Sequence, residues 1–254
     1  MGKEITIREC GTIAELDACI NLQREVFGLP ELEISPRRHL IVSKQAGGWT
    51  LGAFLGDRLV GFVHHMAAVT KGDEIFGYSH MMAVSADYQN QGVGARLKWA
   101  QRERALSEGR SFIKWTWEPL RARNAHFNLN RLGAVVEEYA ENFYGTDYVT
   151  DPNLQGNAPG LDSDRLFASW HIQSQRVSEL AQGREMPLRG SPQAKVEIPA
   201  SSAALLQTDP AAVKAELLRV REEFKRALTQ GLVCAGFERH GSRPGYLFYQ
   251  RTAL

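Results

Sequence analysis

The residues with the clearest chemical potential form a short turn rich in amides and glycine, Gln89-Asn90-Gln91-Gly92-Val93-Gly94. Glycine lets the backbone adopt positive φ angles and approach a ligand closely. A helix that begins directly after such a turn presents several unpaired backbone N–H groups and the positive end of its dipole. The turn therefore predicts the capture of a phosphate or pyrophosphate. An ordinary turn exposed to solvent is the alternative interpretation.

Two elements must hold this turn in place. The preceding residues, Tyr78–Val84, alternate with the period of two that is typical of a half-buried strand. One face of that strand would contain Tyr78, His80, Met82 and Val84. After the turn, apolar residues recur at helical spacing from Val93 onward, and Gly109 offers a stop. The turn lacks the Gly-Lys-Ser/Thr of a P-loop and the third glycine of a dinucleotide fold, so neither of those sites is predicted.

A base is also available beside the turn. Tyr78 and His80 are two residues apart on the predicted strand, so their side chains share a face. Histidine has an ordinary pKa of about 6.5, which suits it to remove a proton at neutral pH. Glu118, at the end of a later apolar strand, is the second candidate. The alternative interpretations are a hydrogen-bonded core histidine and a solvated charge at a strand end.

The strand, turn and helix together resemble motif A of the GNAT superfamily of N-acetyltransferases. The family pattern Gln/Arg-x-x-Gly-x-Gly/Ala is matched by Gln89, Gly92 and Gly94. The resemblance implies that acetyl-coenzyme A, or another short acyl-coenzyme A, binds as co-substrate. Its pantetheine would lie on the strand end and its pyrophosphate on the N–H groups of the turn. The implied coenzyme-binding residues are Met82, Ala83, Val84, Gln89, Gln91, Gly92, Val93, Gly94, Ala95 and Asn124.

The same resemblance bears on proton transfer. Many relatives place a tyrosine four residues before the glycine that ends the next helix, where it reprotonates the leaving thiolate. Counted back from Gly133, that position is Leu129, so this acid is missing and another group or water must act. Tyr78 and His80 match positions where arylalkylamine-type relatives have two histidines that take the amine proton through water. The predicted catalytic residues are His80, Glu118 and Tyr78, with His80 as the base.

The order of the remaining elements resembles the same family. A strand, two helices and three antiparallel strands precede the turn, and strands over 112–117, 135–144 and 166–172 follow its helix. The resemblance predicts an α/β (α+β) GNAT fold with a mixed, mostly antiparallel twisted sheet flanked by helices. Residues 1–172 are the predicted acyltransferase domain, 173–193 a linker or a lone amphipathic turn, and 194–254 a C-terminal β-α-β-β extension.

The extension has a predicted helix that starts at Asp209-Pro210 and has an apolar stripe. Its element order repeats that of residues 112–172, so we interpret it as a copy of half a GNAT domain that extends or covers the sheet. A dimerisation module is the alternative, since the stripe could pack against a second copy in a homodimer. A GNAT domain with such an extension resembles a poorly characterised bacterial branch of the superfamily.

A segment of about 20 residues, 145–164, is rich in proline, glycine, asparagine and aspartate. Loops of that length inside a compact domain are usually functional or disordered. One hypothesis is that it folds over the acceptor site, with Asp162, Asp164 and Arg165 as the substrate contacts. A surface connection without such a role is the alternative.

The composition narrows the classes of function. The chain has 254 residues, a formal net charge of +1, 43% hydrophobic residues and 23% charged residues, which is typical of a globular protein. No stretch dense in Lys and Arg predicts nucleic-acid binding. No apolar run predicts a membrane span or a secretory signal, so a cytoplasmic location is predicted. Three widely spaced cysteines predict buried free thiols rather than disulfides or a metal site.

These features predict an N-acyltransferase that moves an acetyl or other short acyl group to a primary amine of a small molecule such as an amino acid. The thioester is already activated, so the protein must align the amine, remove its proton and stabilise the oxyanion. An acyl-coenzyme A sensor without catalysis is the alternative. A third hypothesis is that the turn binds the phosphate of a different ligand.

Overall fold

The computed structural model describes residues 4–146, 161–240 and 243–253. They form two compact units, and the chain passes from one to the other between Ile113 and Lys114. The described residues up to 113 belong to the first unit and those after it to the second. The division predicted at residue 172 follows the family resemblance rather than compactness, and it stays a prediction.

The first unit has an antiparallel sheet of four strands in the order β1-β2-β3-β4. Its strands are β1 Ile5–Glu9, β2 Trp49–Leu55, β3 Arg58–Val69 and β4 Ile75–Val84. Its helices are α1 Ile13–Phe27, α2 Arg37–Gln45 and α3 Val93–Ser107, with 3-10 turns at Glu31–Glu33 and Ala86–Tyr88. The strands and helices predicted up to Gly109 are all present.

Both faces of this sheet are covered. Phe54 and Phe62 pack with Leu16 of α1 and Leu40 of α2 on one face. The opposite face packs Val60 and Val63 against Val93 and Leu97 of α3. Thr12 and Glu15 form the capping box that starts α1. Strand β3 has a register shift at Val60, and from Phe62 onward its successive residues face different helices, which decides where each polar side chain of the strand lies.

The second unit has strands in the order β5-β7-β6-β9-β10-β8. They are β5 Phe112–Trp117, which begins before the unit boundary, β6 Val135–Ala140, β7 Arg165–His171, β8 Ala194–Glu197, β9 Val233–Glu238 and β10 Gly245–Tyr249. The predicted strand over 135–144 is too long, because it ends at Ala140. Asn142 there has a left-handed φ of 43°, and its N–H bonds the Asp164 carboxylate rather than a strand.

The helices of the second unit are α4 Ala122–Ala125, which continues as a π-helix over His126–Arg131, α5 Gln175–Ala181, α6 Ser202–Thr208 and α7 Pro210–Thr229. Helix α5 lies inside the segment predicted as a linker, and its Val177 is fully buried. The stripe of α7 packs within the unit, where Phe224 lies 4.8 Å from Tyr246 and 4.9 Å from Phe248 between ring centres. Strand β9 pairs with β6, so residues of the predicted extension continue the sheet of this unit.

None of the helices in the described part of the chain is both long and apolar enough to cross a membrane. All three cysteines are free and buried, as predicted.

Candidate active site

The turn predicted to bind phosphate, residues 89–94 and here called the phosphate turn, is stabilised by the side chains of its own glutamines. The Gln89 side chain donates to the carbonyl of Val84 at 3.0 Å, and the Gln91 side chain donates to the carbonyl of Asp87 at 2.6 Å. Both amides therefore hold the turn. The backbone N–H groups that follow these two glutamines remain available to a ligand.

Helix α3 begins at this turn in a form suited to an anion. Gly92 is its N-cap, with a φ of 80° and no side-chain hydrogen bond to the helix end. The N–H groups of Val93, Gly94 and Ala95 lie in the first turn, where no intrahelical acceptor reaches them. That turn contains no acidic residue, so the dipole is not neutralised there.

The two glycines of the turn have different reasons to be glycine. Gly92 needs its left-handed φ, because an L side chain is strained there. A Cβ at Gly94 would lie 3.6 Å from Met82 Cε and 3.9 Å from Val84 Cγ2, which are ordinary contacts. The protein itself therefore has room for a side chain at 94, and that room is available to a ligand at the helix start.

Strand β4 contains a bulge that the alternating pattern did not predict. His64 pairs with Met81 but the next residue, His65, pairs with Ser79, so His80 is the extra residue. The side chains beyond the bulge change face: Met82 packs with the α3 core. His80 instead faces Ser35. The predicted common face of Tyr78, His80, Met82 and Val84 is therefore wrong, because Met82 and Val84 pack with the α3 core whereas His80 faces Ser35. The shared face of Tyr78 and His80 stays a prediction.

His80 lies in a cluster of three histidines. Its ring centre is 5.4 Å from that of His39 in α2 and 6.1 Å from that of His64 in β3, and His39 and His64 are 5.4 Å apart. Its Nε2 lies 3.3 Å from Ser35 Oγ. Burial, and then the charge of His39, lower the pKa of His80 to about 4. His80 is an exposed residue, so water offsets part of that cost, but the direction keeps the ring neutral at neutral pH.

His64 has a different role from His80. The Ser43 hydroxyl donates to the Leu40 carbonyl, so it accepts from Nε2–H of His64 at 3.0 Å. The Thr50 hydroxyl then donates to Nδ1 of His64 at 2.8 Å. Both ring nitrogens are used, the side chain is fully buried, and burial lowers its pKa to about 3. His64 is therefore a neutral structural residue.

A second polar network lies on the α3 face of the same strands. Lys98 donates to Gln101 Oε1 at 2.6 Å and to Ser79 Oγ at 3.2 Å, and Gln101 contacts His65 Nδ1 at 3.1 Å. His65 stacks on Trp49 with 4.0 Å between ring centres. Burial lowers the pKa of Lys98 well below its ordinary value and that of His65 to about 2. These buried groups join α3 to the sheet.

The remaining predicted residues of the second unit have partners there. Glu118 accepts from Arg121 at 2.7 Å and lies 3.8 Å from Arg165. Asn124 is exposed in α4. Leu129, in place of the expected tyrosine, is fully buried in the π-helix. Their role in coenzyme binding or catalysis stays a prediction.

Two of the three residues proposed as substrate contacts, Asp162 and Asp164, form an ion-pair cluster with α7. Arg221 donates to Asp162 at 2.6 Å and to the two oxygens of Asp164 at 2.7 and 2.9 Å. Tyr139 donates to Asp164 as well. With its side chain fully buried, Asp164 has a structural role in this unit, and Arg165 is buried too. The rest of the predicted loop, residues 147–160, lies outside the described residues.

In the described ranges, no group of three or more His, Cys, Asp or Glu side chains could hold a metal ion.

The comparison with protein families decides the assignment. Residues 16–133 match the model of the acetyltransferase (GNAT) family, and this range includes the turn, the bulged strand and the histidine cluster. This range of the chain is therefore an acetyltransferase domain of the GNAT family. None of the curated proteins matches it.

Solved structures show the same GNAT fold. The ribosomal-protein-S18-alanine N-acetyltransferase from Escherichia coli is 15% identical, with a TM-score of 0.51 over 67% of this chain and 96% of that one. A putative GNAT acetyltransferase from Desulfovibrio desulfuricans is 15% identical, with a TM-score of 0.52 over 66% of this chain and 99% of that one. Arabidopsis thaliana Naa50, solved with the bisubstrate analogue CoA-Ac-MVNAL, is 14% identical, with a TM-score of 0.50 over 65% and 97%.

The predicted fold class, enzyme class and co-substrate are confirmed. This GNAT protein is an α/β acetyltransferase with a mostly antiparallel sheet flanked by helices, and acetyl-coenzyme A is the acyl donor of its family. Sequence reasoning missed Ser35 and His39, which contact His80 from the α1 to α2 connection and from α2, and Gln23 of α1, which bonds Ser35. No spacing rule links residues so far apart in the chain to one another.

Proposed function

We propose that this GNAT enzyme transfers an acetyl group to the primary amine of a small molecule such as an amino acid, with His80 as the base. The observation that supports this most is the state of His80, which is exposed, neutral and engaged at Nε2 only. Among the described residues, its Nδ1 has no hydrogen-bond partner, so this nitrogen is available for proton transfer.

The proposed reaction needs few protein groups. His80 takes a proton from the acceptor ammonium, and the freed amine nitrogen forms the new bond to the thioester carbonyl as the carbon–sulfur bond breaks. The amine nitrogen loses its second proton as the amide forms. Because Leu129 replaces the tyrosine, we assign to water the relay of this proton to the leaving thiolate.

A cavity supports the small size of the acceptor. About 480 Å³ lies between α1 and its connection to α2, within the range of small-molecule sites. Ile34 and Pro36, on either side of Ser35, line it, and so do charged groups of both signs. Two of these are Asp17 and Arg37, which pair at 2.8 Å. A zwitterion such as an amino acid matches this mixed charge.

The turn supports the coenzyme assignment by its free backbone and its space at Gly94. An acyl-coenzyme A sensor remains the second candidate, because the turn would serve it equally. Release of coenzyme thiol, measured with DTNB across amino acids, small amines and a peptide with a free N-terminus, separates the two. Turnover with an amino acid but not the peptide is the expected result.

Calorimetry with acetyl-, propionyl- and succinyl-coenzyme A completes this test. Binding without turnover on any acceptor would favour the sensor. No binding of any of the three would overturn both candidates and leave a different phosphate-bearing ligand.

A further inference from the structure

The ring of His80 is held by a residue that is itself held from α1. We propose that Ser35, clamped by Gln23, is a positioning residue that fixes one tautomer of His80 and makes Nδ1 the nitrogen that accepts the proton. This proposal rests on the function proposed above, in which His80 is the base.

The clamp is formed by one buried amide. The Gln23 side chain donates through Nε2 to the Ser35 carbonyl at 3.2 Å and accepts through Oε1 from the Ser35 N–H at 2.9 Å. Gln23 is 1% exposed, so water does not compete for these bonds. Two antiparallel bonds to one residue fix both the position and the orientation of its backbone. The α1 to α2 connection is thereby held at the residue that meets His80.

Ser35 engages one nitrogen of the His80 ring. Its Oγ lies 3.3 Å from Nε2, while the His39 ring, 5.4 Å away at 61°, limits rotation on another side. A hydroxyl that accepts from Nε2–H stabilises the tautomer in which Nδ1 is unprotonated. This is the logic by which a partner on one imidazole nitrogen sets the function of the other.

The proton then follows one route. The N–H bond of the acceptor ammonium breaks, and an N–H bond forms at Nδ1 of His80. The imidazolium keeps its Nε2–H bond to Ser35, which stabilises the positive charge without taking the proton. Gln23 and Ser35 touch neither substrate nor coenzyme in this scheme, so they act only through His80.

Nitrogen-15 NMR of the histidine rings tests the tautomer directly and does not depend on activity. At pH 7 the wild-type His80 should show a protonated Nε2 and a bare Nδ1. Ser35→Ala should give a mixture of tautomers and lower kcat about tenfold, with the Kd of acetyl-coenzyme A within twofold. Ser35→Thr, which keeps the hydroxyl, should recover most of both. Ser43→Ala is the matched control, since it removes the hydroxyl from His64 and should leave the His80 tautomer unchanged.

The role of Gln23 is tested by Gln23→Met, which keeps the length and removes both bonds. It should reproduce the Ser35→Ala tautomer mixture, and the double variant should be no worse than either single one in kcat. If Gln23→Met does not fold, Gln23→Glu, which keeps the acceptor, replaces it.

A wild-type ring protonated at Nδ1, or an unchanged tautomer in Ser35→Ala, would overturn the positioning role. A fixed Nε2–H tautomer combined with full kcat in His80→Gln would instead uphold the positioning and remove His80 as the base.

Discussion

Two polar clusters, one in each unit, both contain titratable side chains. They differ in whether a nitrogen or oxygen atom of those side chains remains without a hydrogen bond. Around His80, three histidines meet, and one of them is exposed with an unused nitrogen. Around Asp164, every carboxylate oxygen is engaged by Arg221 or by Tyr139 and the Asn142 N–H, and the carboxylate is fully buried.

The difference shows that a charged or titratable residue gains chemistry from an accessible lone pair, not from its type. Asp164 was a candidate substrate contact and is saturated by its neighbours. His80 was a candidate base and keeps one nitrogen open. The four predictions below test this contrast, from the largest expected effect to the smallest.

The sealed cluster, that of Asp164 and Arg221, should show the largest loss of stability when one of its charged residues is replaced. Arg221→Met leaves the buried charge of Asp164 without its main partner, which costs about 3–5 kcal/mol of the free energy of unfolding. Urea denaturation at pH 7 measures this. Lys225→Met is the matched control, because its pair with Glu141 at 2.6 Å is exposed and should cost less than about 1 kcal/mol. Equal costs for the two variants would mean that the cluster is not sealed in solution.

The open cluster, that of His80, should respond to mutation by a change in kcat rather than in the free energy of unfolding. His80→Ala is expected to lower kcat about 10²-fold, the usual range for loss of a general base, while the Kd of acetyl-coenzyme A stays within a few-fold. Steady-state kinetics with the acceptor found in the amine screen, together with calorimetry, give both numbers. A variant with full kcat and the wild-type pH profile would move the base assignment to Glu118.

The buried histidines of the first unit should behave like the sealed cluster when the pH falls. His64 and His65 have pKa values lowered to about 3 and about 2, against about 6.5 in the unfolded chain. Below pH 6.5 these two histidines bind protons in the unfolded chain but stay unprotonated in the folded protein. The free energy of unfolding therefore decreases as the pH falls. The loss is about 1.4 kcal/mol per pH unit for each histidine, or about 2 kcal/mol each between pH 6.5 and 5.

Urea denaturation at several pH values measures how the free energy of unfolding changes with pH. His64→Gln should reduce this slope by the contribution of one histidine proton, about 1.4 kcal/mol per pH unit. A slope that is unchanged in this variant would show that His64 is not held neutral in the folded protein.

The phosphate turn should separate binding from stability. Gly94→Asp places a negative charge at the helix start, which favours the helix by roughly 0.5 kcal/mol or more but repels a pyrophosphate. The Kd of acetyl-coenzyme A should therefore rise at least about tenfold while the protein is no less stable. Gly94→Asn, of the same size without the charge, is the matched control. Equal affinity in the two variants would argue against an anion at this position.

Local sequence was sufficient where local physics sets the structure. The capping box of Thr12 and Glu15, the hairpin at Gly56 and the phosphate turn at Gly92 are decided by neighbouring residues, and each formed as predicted. The GNAT fold was predicted for the same reason, since its motif lies within one strand, turn and helix. Elements with weak local signals were missed, among them α5, which forms because Val177 is buried against the rest of its unit.

The sequence by itself predicted a turn that binds acyl-coenzyme A and a histidine on the strand that leads to it. Only the tertiary structure decided which histidine is open, because the bulge turns His80 toward Ser35 and His39, while hydroxyls of Ser43 and Thr50 close both nitrogens of His64. These partners come from helices and strands far apart in the chain. Hydrogen bonding and burial depend on distance in space, and residue type and spacing do not encode that distance.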